Sequence, residues 1–373
     1  MATGHLEKRY KSSWTIVIDT GRDENGKRIR IIKSIKGPKR DAEKEMRKML
    51  YEIENGTYVE PNKLTVAEYL QQWLESKKPN VAPRTYESYE MIISTHLIPS
   101  LGHINLSKLQ PLAVEQYKNE KLKAKKSNRT VQYHLSILNQ AMKAAVRLRL
   151  ISYNPVEAVD KPRVQKRPAK FLTPKQVDIL LEAAKGKREY PAIFFALHTG
   201  MRLGEVLGLL WENVNLNEKI IHVRKQLQYI KGVGIELQDI LKTSSSYRTI
   251  TISSEVIALL KSLSKISDYV FCIPKGPHAG KPYDPTNFDN RFKEIIAETG
   301  LNITPHSLRH THASLLLAAG EQLNVVQERL GHERASTTSD IYAHVLPNSQ
   351  KKSAELFEQI LKTEKKNNEE QEK

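Results

Sequence analysis

Thr304-Pro-His-Ser-Leu-Arg-His-Thr-His312 is the stretch on which the reading of this chain turns. Pro305 presets φ for a first helical turn, so His306 and Arg309, three apart, share a face, with His310 four from His306. Two imidazoles and a guanidinium on one turn form a polar cluster in an otherwise apolar setting. A metal held by His306 and His310 is one reading, but no cysteine or acidic residue nearby in sequence offers a third ligand.

Three similar patches lie outward from it. Upstream, Leu197-His-Thr-Gly-Met-Arg-Leu-Gly-Glu205 sets Arg202 and Glu205 three apart in an apolar run, which alone is equally well a structural ion pair. Between the two, Leu241-Lys-Thr-Ser-Ser-Ser-Tyr-Arg248 is a polar turn ahead of a β-like run, and Lys242 at its tip alone says little, because lysines there are commonly just solvated. Downstream, Gln327-Glu-Arg-Leu-Gly-His332 leads to Ser339-Asp-Ile-Tyr342. Gly320 and Gly331 cut this region into short helices, a pattern that also fits a DNA-reading helix-turn-helix.

Each patch is weak alone, and the ordered set is specific. Arg202-x-x-Glu205, Lys242, His306-x-x-Arg309, Leu330-Gly331-His332 and Tyr342, in that order, resemble the tyrosine recombinases, the phage-integrase family of site-specific DNA recombinases, over essentially all of 170–362. One departure is a gap of nine residues between His332 and Tyr342, slightly longer than the family's usual one. The resemblance implies that Tyr342 attacks a backbone phosphate, leaving a 3′-phosphotyrosyl link and a free 5′ hydroxyl. Arg202, Arg309 and His332 would hold the nonbridging oxygens, His306 would serve Tyr342 as acid/base, Lys242 would protonate the departing oxygen, and Glu205 would orient Arg202. The chemistry is consistent with that division. Guanidinium forks bind phosphate oxygens in pairs and stay charged, and a phenol with an ordinary pKa of about 10 needs a neighbour to take its proton. No cofactor, metal or ATP is implied, because the phosphotyrosyl link keeps the energy of the broken phosphodiester.

Composition agrees with a nucleic-acid partner. Lys and Arg number 59 against 42 Asp and Glu, a net charge of +17, as expected of a protein that binds a polyanion. The excess is concentrated in 61–170, with 19 basic and 8 acidic residues, whereas 171–373 is nearly balanced at 26 and 24. There is no run of about 18 apolar residues and no charged-then-apolar leader, so a membrane partner is not expected and the chain reads as soluble and cytoplasmic. With Cys272 the only cysteine, neither a disulfide framework nor a cysteine-based zinc module can form.

The sequence predicts a multidomain protein. Residues 1–60 read as a small β-sheet plus helix, with a hairpin built from the β-like runs 14–19 and 27–33 and a helix over 41–54. Arg28 and Arg30 share one sheet face and Ile29 and Ile31 the other; Arg28, Arg30 and Lys33 are candidate DNA contacts for arm sites, though a solubilising surface hairpin is the plainer reading. Residues 63–158 read as an all-α core-site domain with helices near 65–74, 82–98, 110–124 and 127–148, and Lys126, Arg129 and Thr130 as candidate contacts. A basic, proline-punctuated linker spans 159–170, with Lys166 and Arg167 as further candidate DNA contacts. Residues 171–362 read as a mainly-α catalytic domain with a small antiparallel sheet from 219–224, 247–252 and 268–273. The polar tail 363–373 has nothing to bury and is expected to be disordered.

The resemblance implies as partners the core and arm sites of double-stranded DNA, and four protomers holding a Holliday junction. Leu356, Phe357, Ile360 and Leu361 suit docking onto a neighbour or packing on their own domain. An excisionase and a host DNA-bending protein are accessory partners common in the family. The leading reading is the integrase of a prophage or integrative conjugative element. A host chromosome-resolution recombinase or a type IB-like topoisomerase shares the chemistry; a DNA-binding regulator that kept the fold without the activity would show a broken catalytic set.

Overall fold

The structure is a computed structural model that describes residues 2–10, 12–24, 26–55, 58, 63–165, 170–230, 232–239, 247–331 and 357–358. The chain divides into two compact units, Met1–Gln165 and Lys166–Lys373.

The first unit opens with an antiparallel sheet of β1 (Thr3–Tyr10), β2 (Ser13–Arg22) and β3 (Arg28–Lys36) in that order, followed by α1 (Lys39–Glu54). Two-residue alternation turns Ile16, Ile18, Ile31 and Ile35 toward Met46, Met49 and Ile53 of the helix. Arg28 and Arg30 are exposed and in the opposite phase. Lys33 shares the phase of Ile31 and Ile35, and its Nζ is 2.7 Å from Glu45 on α1. The strand period thus sets Lys33 on the helix side of the sheet, away from Arg28 and Arg30, beside an acidic partner.

A second core in this unit is helical. It is built from α2 (Val66–Lys77), α3 (Pro83–Ile92), a π-helical turn (Ile93–Leu97), α4 (Ile98–Leu101), α5 (Pro111–Lys123) and α6 (Asn128–Arg147). Thr65 and Glu68 close a capping box at the start of α2, and proline opens α3 and α5. Leu70, Trp73, Ile93, Leu97, Tyr117, Leu135, Leu138 and Met142 fill the interior.

The second unit contains α7 (Pro174–Ala184), α8 (Tyr190–Thr199), α9 (Leu203–Leu207), β4 (Val214–Asn215), β5 (Ile220–Val223), β6 (Lys225–Ile230), β7 (Gly234–Asp239), β8 (Arg248–Thr251), α10 (Ser254–Ser262), α11 (Pro285–Ala297), α12 (Pro305–Ala318) and α13 (Leu323–Leu330). Strands β4, β5 and β8 form an antiparallel sheet, and β6 and β7 a separate hairpin that the sequence reading did not anticipate. The expected strand over 268–273 is corrected. Val270 and Phe271 are core residues, but among the described residues the segment makes only the isolated bridges Leu210–Tyr269 and Cys272–Pro282 and joins no strand ladder. Phe195, Leu207, Ile221, Ile250, Phe271, Phe292 and Leu308 share the main core, while Ala313 and Leu317 join α12 to Val326 and Leu330 of α13. Among the described residues, no helix is long and apolar enough to cross a membrane. The tail 363–373 lies outside the described residues, as do Leu356, Ile360 and Leu361; Phe357 is exposed.

Candidate active site

The site forms where α8, α9, α12, α13 and β8 meet. Helix α8 ends on Gly200 with φ of 69°; a Cβ there would stand 2.6 Å from His312 and 2.7 Å from Leu330, so only glycine lets α12 and α13 come this close. Arg202 then caps α9, and its backbone N–H donates to Glu205 Oε2 at 2.8 Å while Nη1 donates to Oε1 at 2.7 Å.

Glu205 is 1% exposed and is the hub of the cluster. Arg248, from the first position of β8, donates through Nη2 to Glu205 Oε2 at 2.7 Å and through Nη1 to Oε1 at 3.3 Å. Burial alone would raise the Glu205 carboxyl; the Arg248 hydrogen bonds and the charges of Arg248 and Arg202 outweigh it and hold the group below the ordinary carboxylate range.

Arg309 is also buried. Its Nη1 donates to the Gly200 carbonyl at 2.9 Å and its Nη2 to the Leu330 carbonyl at 2.6 Å. Arg202 Nη2 donates to the Gly331 carbonyl at 3.1 Å, and Arg248 Nε to that of Arg329 at 2.9 Å. Three consecutive carbonyls at the end of α13 thus each accept from a different guanidinium, where the helix dipole is negative. Burial, then the charge of Arg202, pushes Arg309 down to about 9, so it remains protonated at neutral pH. Three guanidiniums surround one carboxylate, and this excess of positive charge suits an incoming anion.

His306 packs edge-on against His310 with ring centroids 4.7 Å apart. Burial, with the charges of His310, Arg309 and Arg202, pushes it down to about 4, so at neutral pH it is uncharged and able to accept a proton. Among the described residues no three His, Cys, Asp or Glu converge as a metal-ligand group.

The structure therefore brings together Arg202, Glu205, His306 and Arg309. Lys242, His332 and Tyr342 lie outside the described residues, as do Lys166 and Arg167. In the first unit Lys126, Arg129 and Thr130, with His96, Tyr133 and Lys161, line a cavity of about 850 Å³ around the start of α6. Thr130 Oγ1 lies 2.8 Å from Ser127 Oγ, in the cap of that helix.

Comparison with known proteins bears on this arrangement. The profile described as "Phage integrase family" matches residues 170–349, and "Phage integrase, N-terminal SAM-like domain" matches 65–122. A tyrosine recombinase XerC of Bacillus subtilis is 30% identical over 59% of this chain and 71% of its own. The chain belongs to the phage integrase family of tyrosine recombinases. A tyrosine recombinase XerC-like protein of Caldanaerobacter subterraneus is 27% identical over 95% of this chain and 97% of its own length. Among solved structures, the Tn1549 transposon integrase in complex with a circular intermediate DNA superposes with a TM-score of 0.69 over 78% of this chain and 99% of that one, at 22% identity, which shows a shared fold.

The cluster also contains Arg248, which the sequence alone does not single out. Arg248 was quoted only as the end of a polar turn, yet its side chain is buried against Glu205. A signal was present: β8 alternates buried, exposed, buried, exposed, so Arg248 is in phase with the core residue Ile250.

Proposed function

We propose that this recombinase integrates and excises a mobile element by cutting and rejoining DNA through a 3′-phosphotyrosyl intermediate and a Holliday junction. The observation that carries this reading is the buried cluster of Arg202, Arg309 and Arg248 around Glu205, with neutral His306 beside it. A phosphodiester carries one negative charge, and the pentacoordinate transition state carries a second on its nonbridging oxygens. A preorganised site with surplus positive charge stabilises the second more than the first.

In this reading Tyr342 Oη forms the new bond to phosphorus and passes its proton to His306. The bond to the 5′ oxygen breaks, and Lys242 protonates that leaving group. Arg202, Arg309 and His332 hold the nonbridging oxygens. Attack by a different 5′ hydroxyl on the phosphotyrosyl link reverses the chemistry and exchanges strands. The side chains supply the charge stabilisation and both proton transfers, so the proposal includes no metal and no ATP.

Residues 63–158 bind the core site, four protomers assemble on it, and residues 1–60, with Arg28 and Arg30, bind accessory arm sites. An excisionase and a host DNA-bending protein set the direction. The separate N-terminal sheet-and-helix core favours a mobile-element integrase over a chromosome resolvase. The filled positions Arg202, Glu205, His306 and Arg309 count against an inactive regulator.

Three results are expected. In EDTA, wild-type protein becomes covalently trapped on a nicked duplex spanning the junction of the circularised element. Because His306 is held near 4, trapping at subsaturating DNA at about pH 5.5 stays near its neutral-pH rate, whereas a histidine titrating at about 6.5 would be some nine-tenths protonated there. A roughly tenfold loss at that pH would show a base that titrates near 6.5 and would contradict a His306 held near 4. Deletion of 1–60 should abolish integration and leave trapping on the core site intact; undiminished integration would refute the arm-site role.

A further inference from the structure

We infer that Arg329, seated on His312, is a positioning residue for the phosphate clamp; this rests on the function proposed above. The side chain of Arg329 turns away from the clamp into the junction of three elements. Its Nε donates to His312 Nε2 at 3.0 Å, Nη1 to the Thr251 carbonyl of β8 at 3.0 Å, and Nη2 to the His198 carbonyl of α8 at 3.4 Å. His312 Nδ1 lies 2.9 Å from the Leu197 carbonyl. A carbonyl only accepts, so the imidazole carries its proton on Nδ1 and presents the Nε2 lone pair to Arg329. Burial, with the charge of Arg329, pushes His312 down to about 3, so at neutral pH the imidazole is uncharged.

Among the described residues Arg329 has no carboxylate partner, and burial, with Arg248 beside it, lowers its pKa as well. A mostly buried guanidinium without a counter-ion is a costly way to tie a helix down. What it ties down is specific. Helix α13 is eight residues long, and the carbonyls of Arg329, Leu330 and Gly331 at its end accept from Arg248, Arg309 and Arg202 respectively. Next in sequence comes His332. Arg329 thus fastens the short helix end that orients every guanidinium of the cluster, and a shift there displaces all of them together. Misplacing reacting groups by about 1 Å costs on the order of 100-fold in rate.

The test compares full-length wild type, Arg329→Met, Arg329→Lys, His312→Phe and, as a clamp control, Arg309→Met. Each is assayed by single-turnover trapping on nicked duplexes spanning the junction of the circularised element, with either a phosphodiester or a methylphosphonate at the scissile position. The methylphosphonate lacks one charged nonbridging oxygen, so it depends less on the clamp. A substitution that merely lowers the folded fraction slows both substrates equally and leaves their ratio unchanged. Arg329→Met should slow the diester on the order of 100-fold and the methylphosphonate only a few-fold, so that the ratio falls at least about tenfold, as for Arg309→Met. Arg329→Lys should recover part of the ratio, and His312→Phe should lower it less than Arg329→Met. Equal slowing on both substrates, or an unchanged rate, overturns the inference while leaving the proposed function standing. Failure of wild type to trap on either duplex overturns the proposed function, and this inference with it.

Discussion

Arg309→Met protein is expected to cut its core site about 100- to 1,000-fold more slowly than wild type, the loss typical of removing one preorganised donor from a developing oxyanion. Arg309 is 2% exposed and already fixed by the Gly200 and Leu330 carbonyls, so its remaining donors meet a phosphate without reorganisation. Core-site affinity should change little. The excess positive charge lies in 61–170, and one phosphate contact among many is a small part of the binding energy. Arg309→Lys should not rescue, because one ammonium cannot reach both carbonyls and still present a planar fork to phosphate. Parallel losses of affinity and rate would place Arg309 in general DNA binding rather than in the clamp. Single-turnover trapping beside an equilibrium binding titration separates the two.

Glu205→Gln should have the largest effect on stability. The substitution keeps the shape of the side chain and removes the only negative charge in contact with the Arg202 and Arg248 guanidiniums among the described residues. Breaking a buried ion pair by neutralising one partner costs about 3–5 kcal/mol, because the remaining charge stays buried. For a unit of this size that corresponds to a fall in melting temperature of roughly 10 °C. The Glu205 carboxyl is held below its unfolded value, so its contribution is complete at neutral pH and is lost only as acidification passes that lowered value. Added core-site DNA should raise the melting temperature of the variant more than that of wild type, since the phosphate then supplies the missing counter-charge. Equal melting of the two proteins would show that the guanidiniums do not depend on Glu205.

The sequence was most legible where local rules and chemistry coincide. Pro305 at a helix start and the three-residue spacing of His306 and Arg309 placed both side chains on one turn, and the structure holds them together beside Arg202 and Glu205. Strand alternation separated Ile31 from Arg30 as read, but it also put Lys33 on the helix side, which the charge of Lys33 had obscured. Arg248 was missed because burial of a cation depends on the spare oxygens of a carboxylate more than 40 residues away in sequence. Arg329 and His312 were illegible for the same reason: their roles arise from carbonyls of α8 and β8 that only tertiary packing brings within reach. The 268–273 run shows the converse error, since apolar composition marks burial whether or not a neighbouring strand exists.

The chain has 15 tyrosines, and the central claim is that one of them, Tyr342, bonds to the phosphate that this cluster holds. The most direct measurement is covalent trapping of full-length Tyr342→Phe on the nicked junction duplex, beside wild type and with the trapped peptide identified by mass spectrometry. Wild type should be trapped through the peptide containing Tyr342, and Tyr342→Phe should bind the duplex with unchanged affinity and form no covalent product. A covalent product from Tyr342→Phe, or a wild-type adduct on another residue, would contradict the assignment.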